Sequence, residues 1–134
     1  MGKEYTLKTK EFPVGDIVAD SDLIVYALWK VPHAIKIAAA RLGVKTTVTK
    51  QNTDYNTFEI MNGAVSVAAI ANGPNTAAGT TIAAGAFGTM VVATAAGANE
   101  IAAAATLTLK TTKTGAGLIT YGVVIQVDYY DYDN

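Results

Sequence analysis

Residues 106–131 read TLTLKTTKTGAGLITYGVVIQVDYYD, and the period of this stretch decides the fold class. Leu107 and Leu109 alternate with Thr106, Thr108 and Lys110. A Gly/Thr-rich turn follows over 111–117. Then Ile119, Tyr121, Val123, Ile125, Val127 and Tyr129 share one side of an extended chain, with Thr120, Gly122, Val124, Gln126 and Asp128 on the other. Side chains of a strand point alternately to its two faces, so this is the pattern of a long half-buried strand preceded by a shorter one.

Upstream, the same punctuation recurs. Phe58 and Ile60 alternate with polar neighbours, Asn62-Gly63 follows, and Val65 and Val67 alternate beyond it. This predicts a β-hairpin with Asn62-Gly63 in a type I′ turn, which needs positive φ at both central residues. Residues 22–31 hold Leu23-Ile24-Val25-Tyr26-Ala27-Leu28-Trp29, apolar on both sides, which predicts a strand covered on two faces and ended by Pro32. Residues 34–48 predict another extended stretch. Its apolar parity changes between Ile37 and Leu42, so a bulge is expected near Ala39 to Gly43. The Ala-rich composition of 32–42 also suits a helix, although no capping residue opens it. Between Ala77 and Ala105 the chain is mostly Ala, Gly and Thr, consistent with one or two short strands and long loops. Residues 1–20 contain Pro13 and Gly15 and read as an extended N-terminal arm or short edge strand. About seven or eight strands with turn signals every 8 to 12 residues predict an all-β, antiparallel β-sandwich over 21–134.

The 134 residues suffice for one core without a disulfide, and the chain has no cysteine. Its formal net charge is −1, from 10 basic and 11 acidic residues, which is not the basic excess of a nucleic-acid binder. There is no polybasic segment for anionic lipid and no uniformly apolar run long enough to span a membrane. Charged residues are only 16% of the chain, and Glu100 is the sole one between Ile60 and Leu109. Cores of protein interfaces are depleted in charge, so this section reads either as small-residue core and loops or as a surface covered by neighbouring subunits.

Catalytic signals are missing from the sequence. His33 is the one histidine, and Ser21 and Ser66, the only serines, lack a nucleophile-elbow context. Glu59 and Glu100 are not placed together by anything in the sequence. The acidic clusters Asp16/Asp20/Asp22 and 128–133 do not have the spacing of a calcium loop. The reading is therefore a non-enzyme without cofactor or metal. Tyrosines carry large contact area and a polar tip at low entropic cost, so Tyr129, Tyr130 and Tyr132 are candidate partner-binding residues, with Tyr5 and Phe12 of the arm.

The run EIAAAATLTLKTTKTGAGLITYGVVIQVDYYD at 100–131 resembles the closing strands of small jelly-roll decoration (cement) proteins of tailed-phage capsids. Residues 22–29 are similar to the opening core strand of that family, 35–48 to its next stretch, and 58–67 to a hairpin. The resemblance is one of pattern and covers roughly residues 20 to 130. It implies a jelly roll of about eight strands, in two antiparallel sheets. It further implies a homotrimer on the capsid exterior, made in the host cytoplasm, that binds between major capsid protein subunits with no nucleic-acid or membrane partner. The same fold occurs in tail-tip and fibre modules that recognise host glycans and in other self-assembling virion subunits, which stand as the alternatives.

Overall fold

A computed structural model describes residues 6–17, 23–71 and 79–131, with the side chains of 23–25 left out. These residues form nine strands and no helix: β1 (Leu7–Ile17), β2 (Leu23–Lys30), β3 (Ile35–Gly43), β4 (Tyr55–Asn62), β5 (Val65–Ala71), β6 (Phe87–Val92), β7 (Glu100–Ile101), β8 (Thr106–Thr114) and β9 (Thr120–Asp131). All pairings are antiparallel.

Setting aside the two-residue β7, the strands pair from the chain ends inward. β1 pairs with β9, β2 with β8, β3 with β6 and β4 with β5. This doubled-over ribbon rolls up so that β9 also meets β3, β8 meets β4, and β6 meets β5. The result is the row β1-β9-β3-β6 facing the row β2-β8-β4-β5, an arrangement consistent with the expected jelly roll. β6 belongs to both rows: Phe87–Met90 pair with β3, and Val91 and Val92 pair with β5. The wall is therefore continuous except between β1 and β2.

The inward faces meet in one core that includes Ile35, Ile37, Leu42, Phe58, Ile60, Ile82, Leu107, Leu109, Ile125 and Val127, each at most 1% exposed. β3 is a strand, not the alternative helix, because alternate residues Ile35 and Ile37 enter this core while Ala-rich neighbours fill the outer face. A register shift between Ile37 and Ala39 supplies the change of parity, slightly earlier than expected. Val48, at the end of the second expected stretch, makes only an isolated bridge to Ile82.

Three expectations need adjusting, and one alternative is chosen. Of the segment 1–20, read as an extended N-terminal arm or short edge strand, residues 7–17 form edge strand β1, with Phe12 and Ile17 buried. β2 is not covered on both sides. It pairs with β8 alone, and Tyr26, Leu28 and Trp29 are only partly buried, because a bulge at Leu28 resets its facing. In the β4–β5 hairpin Asn62 pairs with Val65, so the turn residues are Gly63 and Ala64. Only Gly63 has positive φ (+61°), the signature of a II′ turn rather than I′. In β9 the alternation breaks at Gly122, whose φ is +59°. Thr120 is consequently buried, while Ile119 and Tyr121 stand 45% and 43% exposed instead of joining Val123, Ile125 and Val127 inside.

Candidate functional site

The outer face of the β1–β9–β3 row carries a polar network that ties three strands together. Arg41 donates from Nη1 to Gln126 Oε1 (2.8 Å) and from Nη2 to Asp128 Oδ2 (2.5 Å). Thr9 Oγ1 donates to Asp128 Oδ1 (2.7 Å), and Gln126 Nε2 donates to Glu11 Oε1 (2.7 Å). The Arg41 hydrogen bond holds the Asp128 carboxyl below its ordinary pKa, with help from Thr9 and against the opposing effect of burial. At the rim, Asp131 accepts from Lys8 and pairs with His33. Lys8 first and His33 second lower the pKa of Asp131. His33 thus meets a carboxylate and no nucleophile among the described residues. Among them, too, no three His, Asp or Glu side chains gather as metal ligands. These groups are engaged in holding strands, and their chemistry is cohesion.

Two other surfaces have unspent contact capacity. The first is the outward row of β6 with the neighbouring part of β5, both from the section of the sequence that lacks charge from 61 to 99, while Glu59 of β4 stands at its border. Phe87, Thr89 and Val91 alternate outward along β6, and Phe87 and Val91 are 42% and 76% exposed. Beside them a shallow depression of about 220 Å³ is lined by Thr57, Ala69, Ala71, Thr80, Thr89 and Val91, among others. The Phe87 ring lies against Gly43 of β3, where a Cβ would come within 2.9 Å of it, so the glycine makes room for the ring. No described charge is among the residues lining this depression.

The second is the open seam between β1 and β2. Phe12 and Trp29 meet across it with ring centroids 5.7 Å apart, and Tyr129 packs edge-on against Trp29 at 5.1 Å. Lys10 Nζ lies 5.3 Å from the Trp29 centroid and 5.8 Å from that of Phe12. A groove of about 320 Å³ opens here, lined by Lys10, Phe12, Val14, Tyr26, Leu28 and Trp29 with their strand neighbours.

The candidate partner-binding residues are scattered over this geometry. Phe12 is buried at the seam, and Tyr129 is half-buried behind Trp29, so both serve the seam's packing. Tyr130 is half-buried on β9, in register with Leu7 and Lys36. Tyr5 and Tyr132 lie outside the described residues. Lys10, Trp29 and the outward row of β6 were not singled out from sequence. The lack of charge from 61 to 99 pointed toward the β6 row, but the seam exists only because β1 and β2, adjacent in the chain, end up at opposite ends of the pairing order.

No protein-family model matches the chain, and no curated protein matches it. The structure of infectious bursal disease virus, Gx strain, aligns over 98% of this chain at 11% identity with a TM-score of 0.32. This chain spans 38% of the length of that one.

Proposed function

We propose that this protein is a structural subunit of a virion, and more narrowly a decoration protein that stabilises a tailed-phage head by binding between major capsid protein subunits. It acts as a homo-oligomer, a trimer on the capsid exterior, and it is not an enzyme. The observation that carries the reading is the uncharged outward row of β6, Phe87, Thr89 and Val91, where Val91 near the end of the strand is 76% exposed. A large aliphatic side chain in that position gains free energy only when something covers it. Many identical weak contacts on a symmetric shell hold a subunit by avidity, without a deep pocket or a strong single site. The polar network on the outer face of β1, β9 and β3 borders this face, with Arg41 in register with Thr89, and it suits such a role because it stiffens the wall.

The test is immunogold labelling of particles from the source with antibody against this chain. Even labelling over heads is the expected result. Labelling confined to a tail tip points to the adhesin alternative, and unlabelled particles overturn the virion reading. A second measurement locates the contact. Val91→Lys leaves melting almost unchanged, by about 0.5 kcal/mol or less, since the side chain is already in water. The same substitution is expected to weaken binding to undecorated heads in a sedimentation assay. Full binding by this variant shows that the β6 face is not the contact.

A further inference from the structure

Among the described residues, β1 and β2 are the only two long strands with one partner each. β1 pairs with β9 and β2 with β8, and among the described residues no backbone hydrogen bond joins β1 to β2. Each therefore turns one edge of backbone N–H and C=O groups toward the groove between them. The two edges are unequally protected. β1 carries Pro13, two register shifts and two lysines, all of which discourage pairing. β2 has a single bulge and no charge until Lys30. An apolar edge strand with so little protection is a template for another strand.

The charge in the groove is also unbalanced. Lys10 lies against the rings of Phe12 and Trp29, and among the described residues it has no carboxylate partner. Glu11, its neighbour, also borders the groove, but its carboxylate is turned to the other face of β1, where it accepts from Gln126. Lys8 is occupied by Asp131. Lys10 is exposed, so its ammonium is open to an incoming anion while its position over the rings fixes it at the mouth of the groove.

We infer that the β1–β2 seam is a docking groove for an extended acidic segment of a partner protein, which adds to the free edge of β2, lays an apolar side chain against Tyr26, Leu28 and Trp29, and sets a carboxylate on Lys10. Main-chain hydrogen bonds give such a site its affinity, and the pockets for alternate side chains give its selectivity. The inference rests on the decoration reading only for the identity of the partner, which would be a capsid subunit. The groove chemistry stands apart from it.

Trp29 is the only tryptophan in the chain, so intrinsic fluorescence reports on the seam directly. The probes are the peptide acetyl-Val-Asp-Val-Tyr-Val-amide and its counterpart with Lys in place of Asp. The acidic peptide is expected to give a saturable change in Trp29 emission and to bind about tenfold more tightly than the basic one. Lys10→Gln should abolish that preference while leaving the fold intact by circular dichroism. Ala27→Glu, at an exposed position on the same groove, should weaken binding of the acidic peptide by placing a carboxylate there in cis. No saturable change, equal affinities, or a preference that survives Lys10→Gln each overturns the inference. Heads that bind the protein while the peptide does not would leave the decoration reading standing and remove the groove. Peptide binding with unlabelled heads would do the reverse.

Discussion

Asp128 sits on the outer face of the middle strand of the β1–β9–β3 row, 8% exposed, with one carboxylate oxygen on Arg41 and the other on Thr9. Replacing it with Asn removes the charge from a part-buried pair while keeping the shape. Asp128→Asn is expected to lower stability by about 1–3 kcal/mol in urea denaturation at neutral pH. The pH dependence has a definite sign. Because the folded carboxyl titrates below its unfolded value, its contribution is complete above an unfolded pKa of about 3.9 and is lost as pH falls through the lower folded value. The gap between wild type and variant should thus be flat from pH 7 to about pH 5 and should close in stronger acid. A gap unchanged in strong acid would mean that the effect is one of packing. None of this pairing was legible in the sequence. Arg41 lies in an Ala-rich run that could be helix, and it finds Asp128 only through the β3–β9 register. Gly122 is similar: period two through Ile119 and Tyr121 gave the wrong face, because a single residue at positive φ reverses it and the sequence does not announce that it will.

At the scale of the element, alternation was a good guide where one face is buried and a poor one at edges. β4, β8 and the inner part of β9 show the expected faces at Phe58, Ile60, Leu107, Leu109, Val123 and Ile125, whereas in β5 Val67 is buried but Val65, beside the hairpin turn, is 47% exposed. β2 was read as doubly covered because Leu23 to Trp29 are apolar on both sides. Its composition reflects the seam instead, where side chains are half-buried on the inside and the strand edge is free. The sharpest consequence concerns β1. An arm could be removed without cost, but an edge strand bearing Phe12 and Ile17 cannot. Deleting residues 1–6 is expected to leave the melting temperature nearly unchanged. Deleting 1–17 should lower it steeply and raise dye binding to exposed apolar surface, because it uncovers β9 and opens the core. Equal stability of the two truncations would return residues 7–17 to the status of an arm.

For the whole molecule, the decisive fact is the pairing of chain ends: β1 with β9 joins residues more than 100 positions apart. Turn signals could count strands, but no local signal could state that order. Closing such long loops before any contact repays the entropy makes folding slow. Refolding followed by Trp29 emission is expected on the order of milliseconds to seconds. Relaxation in microseconds would imply that the seam strand acquires its surroundings before the ends meet. The strand shared between the two rows has a mechanical meaning as well. β6 holds β3 through four residue pairs but β5 through only two, Ala68 with Val92 and Ala69 with Val91. The opposite border, between β1 and β2, has none. Tension applied across the two rows therefore falls on that short junction, and the barrel should hinge open there like a shell, each valve keeping its own ladders, before either sheet begins to unravel.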